Sequence, residues 1–126
     1  MKDSRSHPRY LLRWRAALVF DGQATEAAIE GKTYDLSLGG ATLLTHEQVR
    51  DAGSTTLLLT PPPLLYGQPQ KVIVVQARLV YSVHSDAHMC FRTGLHFIRF
   101  EDCGQRLLED RLGQHVPALE ALVVGS

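Results

Sequence analysis

The chain of 126 residues holds only two cysteines, Cys90 and Cys103, with no C-x-x-C spacing. That excludes a disulfide framework and a cysteine zinc site as organising devices. No apolar run nears the ~20 residues that span a bilayer, and the N-terminal MKDSRSHPRY lacks the apolar centre of a secretion signal. A cytoplasmic location without membrane insertion is the resulting expectation. Net charge is missing too, because thirteen Lys and Arg balance thirteen Asp and Glu. Polynucleotide binders usually carry excess positive charge spread over a face. With aromatics at 7%, base-stacking platforms are also scarce. DNA and RNA are therefore not expected partners. The sequence has no H-E-x-x-H and no G-x-S-x-G, and the loop holding His84 and His88 supplies no ligand set. No catalytic residue, metal site or cofactor is assigned, and the chain is not expected to be an enzyme.

The charge that is present lies unevenly. Residues 1–15 carry Lys2, Arg5, Arg9, Arg13 and Arg15 against Asp3 alone, whereas residues 101–126 carry five acids against two arginines. Arginine grips phosphate through a bidentate fork and stacks on flat π-systems. Four arginines by the start of the first strand, then the Asx- and glycine-rich corner Asp35-Leu-Ser37-Leu-Gly39-Gly40, read as two halves of one site for a small anionic ligand.

At 44% hydrophobic and 21% charged residues, the composition is that of one folded domain. Residues 1–14 read as a flexible arginine-rich arm, in which Pro8 argues against a helix or a central strand. Six stretches have strand character: Arg15–Phe20, about Glu26–Leu36, Ala41–Thr45, Thr55–Leu59, Lys71–Val83 and Met89–Phe100. Asp21-Gly22 and Pro61-Pro62-Pro63 punctuate them. His46 to Gly53 has room for a single helical turn. From Asp102 the period becomes helical, with Leu108 and Leu112 four apart and Asp102 as the cap. The leucine stripe covers either the barrel mouth or a partner. The expected architecture is an all-β, six-stranded antiparallel barrel over 15–100 with a C-terminal helical segment over 101–126.

Two motifs carry a family resemblance. Arg5-Ser-His-Pro-Arg9 followed by Asp35-x-Ser37-x-x-Gly40, with Gly94-Leu-His-Phe97 as a closing strand, resembles the PilZ domain family of bacterial cyclic di-GMP receptors. The resemblance runs from Arg5 to about Phe100. Arg9-Tyr-Leu-Leu-Arg13 satisfies R-x-x-x-R as well, so two overlapping pairs are open and Arg9 belongs to both. Arg5/Arg9 is favoured, because the other register puts Tyr10, Leu11 and Leu12 inside the ligand loop.

The resemblance implies a cyclic di-GMP receptor or adaptor made of a single PilZ domain. Arg5 and Arg9 would take phosphate oxygens and the guanine O6 and N7 edge. Asp35 would accept from guanine N1 and N2, and Ser37 would add a small donor and acceptor. Gly39 and Gly40 would permit positive φ and close approach of the backbone. Arg13 and Arg78 are further candidates at the rim, and His7 lies within the arginine loop. Ligand would draw the arm onto the barrel, and the change would pass to a protein partner or a homodimer contact. The alternative is a ligand-independent protein-interaction module on the same barrel.

Overall fold

The computed structural model describes residues 7–20, 28–50, 55–63 and 65–116. Within them run six strands, β1 Arg15–Phe20, β2 Ile29–Leu36, β3 Gly40–Thr45, β4 Thr55–Thr60, β5 Ile73–Ser85 and β6 Cys90–Phe100, and one helix, α1 Gly104–Leu112. All strand pairs are antiparallel, and the order β1-β2-β3-β6-β5-β4 closes on itself as β4 pairs with β1. The expected six-stranded barrel with a following helix is therefore the fold. Each described strand has a neighbour on both sides, although β5 pairs with β4 only over Ile73–Ala77.

Period-two alternation builds the interior. Leu57 and Leu59 of β4 and Ile73 and Val75 of β5 are fully buried, as are Leu18, Leu36 and Leu43 from β1, β2 and β3. The helix resolves the alternative left by its leucine stripe. Leu108 and Leu112 are buried within the same core cluster, with Leu107 packed beside it. A Cβ on Gly104 would stand 3.3 Å from Ile73 Cγ2, so the first turn of α1 sits close against β5.

Three sequence expectations need correction. Asp102 does not cap α1. Its φ is +52°, and the residue before the helix is Cys103, which makes no capping side-chain bond. The chain thus turns sharply between β6 and α1 through a left-handed residue, a role Asp tolerates. No helical turn forms in the described part of the 46–53 segment, residues 46–50. There the Val49 N–H donates to Ser82 Oγ at 2.9 Å and Gln48 Nε2 to the Ser82 carbonyl at 3.0 Å, so contacts to β5 replace helical ones. The third concerns the glycines of the corner. Neither Gly39 nor Gly40 has positive φ, which among the described glycines occurs only at Gly67.

The chain ahead of β1 is fastened to the barrel from Tyr10 onward. Tyr10 and Leu36 exchange two backbone hydrogen bonds of 2.9 Å. Trp14 is buried, and its N–H donates to Thr33 Oγ1 at 2.9 Å while its carbonyl accepts from the Thr33 N–H at 2.8 Å. Thr33 Oγ1 donates in turn to the Leu12 carbonyl. A Thr33→Val variant keeps the shape and leaves the Trp14 N–H without its acceptor, a loss of about 1–3 kcal/mol. Urea unfolding should show that drop, and an unchanged midpoint would contradict the fastening role.

Candidate functional site

Asp35 is placed by an irregularity in β2. The β2–β3 register shifts between Thr33 and Asp35, so Tyr34 has no direct partner and Asp35 lies opposite Thr42. The Asp35 carboxylate accepts the Thr42 N–H at 3.2 Å through Oδ1, and Oδ2 lies 3.4 Å from Arg9 Nη1. Asp35 is buried, while the Arg9 side chain is 37% exposed. The carboxylate therefore anchors the near side of the guanidinium and leaves donors free for a ligand.

Ser37 holds the corner between β2 and β3. Its Oγ accepts the N–H groups of Gly39 and Gly40, each at 3.1 Å, and contacts the Gly40 carbonyl at 3.3 Å. This is a Ser turn, in which the side chain imitates a backbone acceptor. Gly40 serves close packing: a Cβ there would stand 2.5 Å from the Leu95 carbonyl oxygen of β6.

These residues line one cleft of about 830 Å³, within the size range of small-ligand sites. His7, Arg9, Asp35, Ser37, Gly39 and Gly40 contribute to its lining, as do His96, Ile98 and Arg99 of β6. The structure thus brings Arg9, Asp35, Ser37, Gly39 and Gly40 together. Arg5 falls outside the described residues. Arg13 lies elsewhere: its Nη1 donates to the Tyr34 carbonyl at 2.8 Å and its guanidinium stacks 4.7 Å from the Tyr34 ring centroid. Arg92 sits over the same ring at 4.8 Å. Arg78 is exposed on β5 and is not part of the lining, although it pairs directly with His96.

His96, Ile98 and Arg99 lie in the cleft beyond the residues that the sequence motifs mark as a site. Alternation along β6 marks His96 and Ile98 as outward-facing. What could not be read is that Gly40 pairs with His96, which requires the β3–β6 register. Among the described residues no group of three or more His, Cys, Asp or Glu side chains could hold a metal ion. Nor is any described helix long and apolar enough to cross a membrane.

The PilZ domain family model matches residues 3–114. The chain belongs to the PilZ domain family. PilZ domains are non-catalytic receptor or adaptor modules of bacterial cyclic di-GMP signalling. No curated protein matches the chain significantly. Among solved structures, MotI/DgrA, an inhibitor of motility from Bacillus subtilis, aligns over 91% of this chain and 55% of its own, at 12% identity and a TM-score of 0.66. The PilZ domain of YcgR from Escherichia coli, solved with c-di-GMP, aligns over 85% of this chain and 87% of its own, at 15% identity and a TM-score of 0.63. The MrkH–c-di-GMP complex of K. pneumonia aligns over 90% and 52%, at 17% identity and a TM-score of 0.59. The chain spans about half the length of MotI/DgrA and of MrkH. At these identities the likeness shows the shared fold.

Proposed function

We propose that this PilZ domain binds cyclic di-GMP in the cleft between its N-terminal segment and the β3–β6 wall. The observation that carries the reading is the convergence of Arg9 and Asp35, 3.4 Å apart, beside the Gly39-Gly40 backbone in one cleft. Arg9 presents a cation and a donor fork to a phosphodiester or to guanine O6 and N7. Arg5, four residues earlier in the motif, takes the second such role. Asp35 keeps lone pairs beyond those used by Thr42 and Arg9, and accepts from guanine N1–H and N2–H. Ser37 acts chiefly through the corner it holds. Ligand draws the segment around Arg5 and Arg9 against the barrel, and a protein partner or second copy reads the change.

Calorimetric titration with cyclic di-GMP tests the reading. Saturable heat is expected, and a flat titration up to about 300 μM, meaning a binding free energy weaker than about −5 kcal/mol, would contradict it.

Base selection gives a sharper outcome. Adenine lacks the N1–H and N2–H donors, so cyclic di-AMP should bind the wild type at least tenfold more weakly. Asp35→Ala should erase most of that gap, worth about 1–3 kcal/mol. A melting curve run in parallel separates this from the cost of freeing the Thr42 N–H. A gap that survives in Asp35→Ala would remove Asp35 from base recognition.

A further inference from the structure

The Gly39-Gly40 step makes room for two histidines. His7 rests on Gly39, where an added Cβ would lie 3.0 Å from His7 Cδ2. His96 is the cross-strand partner of Gly40. Paired residues of neighbouring strands project from the same face, so the absence of a side chain at Gly40 leaves the flank of His96 open. Both imidazoles are exposed, and both line the cleft that holds Arg9. His7 belongs to the N-terminal segment and His96 to β6.

Among the described residues, the cleft is lined by the charged groups Arg9, Asp35, Arg99 and Asp102. His7 shares the cleft with Arg9 and Asp35. His96 has Arg78 directly across on β5, with Arg99 further along β6 and Asp102 beyond it at the cleft. Histidine is the side chain whose ordinary titration falls between about pH 5 and pH 8. A phosphodiester stays anionic throughout that range, so any charge change in the encounter comes from the protein.

We propose that His7 and His96 are ligand-contacting residues of the cleft, and that their protonation tightens its hold on a cyclic dinucleotide phosphodiester. The proposal rests on reading the cleft as a cyclic di-GMP site. Its sign follows from linkage. An anion bound beside the imidazoles favours their charged forms, so both take up protons more readily in the complex than in the free protein. Binding therefore consumes protons, and affinity rises as pH falls through the histidine range.

The experiment is calorimetry with cyclic di-GMP at about pH 8 and about pH 5.5, in two buffers of different ionisation enthalpy. Wild type should bind about tenfold more tightly at the lower pH, with net proton uptake between them. His7→Gln/His96→Gln should lose most of that slope and most of the uptake. NMR titration of the histidine ring protons in wild type, free and bound, gives a readout that needs no variant: both rings should titrate at higher pH in the complex. Binding by wild type with a flat pH profile, or a double variant with the wild-type profile, would overturn the histidine assignment and leave the ligand reading standing. No binding at either pH would overturn the ligand reading and this proposal together.

Discussion

Arg9→Ala is expected to weaken cyclic di-GMP binding by roughly 10- to 150-fold, the loss of one charge-assisted contact of about 1.5–3 kcal/mol. The upper part of that range is favoured by what remains. Asp35, buried and 3.4 Å from Arg9 Nη1, would then face an anionic ligand with no cation between them. Arg9→Lys should fall between wild type and alanine, because a lysine keeps the charge and loses the planar fork. The fold should survive all of these changes. The Arg9 side chain is 37% exposed, and Asp35 keeps the Thr42 N–H as a partner when the guanidinium is gone. Calorimetry paired with thermal melts checks both parts, and Arg9→Ala binding with wild-type affinity would contradict the site.

Gly40→Ala should destabilise the barrel by about 2–3 kcal/mol, the upper part of the overpacking range. The new methyl would meet the Leu95 carbonyl oxygen at 2.5 Å, and a backbone atom in a ladder cannot rotate aside. Relief requires β3 to move away from β6, which opens the pairing that sets Gly40 against His96. Stability and ligand affinity should therefore fall together. Gly94→Ala offers the contrast. Its methyl would collide at 2.3 Å with Tyr81 Cε2, yet that ring is 39% exposed and can swing outward. Chemical denaturation of the two variants should rank Gly40→Ala as the more damaging, and the reverse order would contradict this account of the wall.

The sequence was legible where one local rule decides the outcome. Strand periods gave the six strands and the leucine spacing gave the helix, because burial of alternate or every fourth side chain dominates both. The Asp35–Gly40 corner was readable for the same reason, since a Ser two residues before Gly-Gly suits a turn. The less legible features depend on partners far along the chain. Arg5 and Arg13 each stand four residues from Arg9, so the R-x-x-x-R pattern leaves its partner open; the structure takes Arg13 to the Tyr34 ring, while the register shift at Thr33/Asp35 sets Asp35 beside Arg9. His96 becomes a cleft residue only once Gly40 is known to pair with it. The helical turn expected after His46 gave way to hydrogen bonds from Gln48 and Val49 to Ser82, more than thirty residues on. Asp102, expected as a cap, instead adopts the left-handed turn that aims α1 at the barrel.

Cyclic di-GMP is expected to sit in one cleft, between the Arg9 segment and the β3–β6 wall. Amide NMR shift mapping on the full chain during titration with cyclic di-GMP tests it most directly. The largest changes are expected at Arg9, Asp35, Ser37, Gly39, Gly40 and His96, with β1 and β4 quiet. Changes concentrated on β1 and β4, or none at saturating ligand, would contradict it.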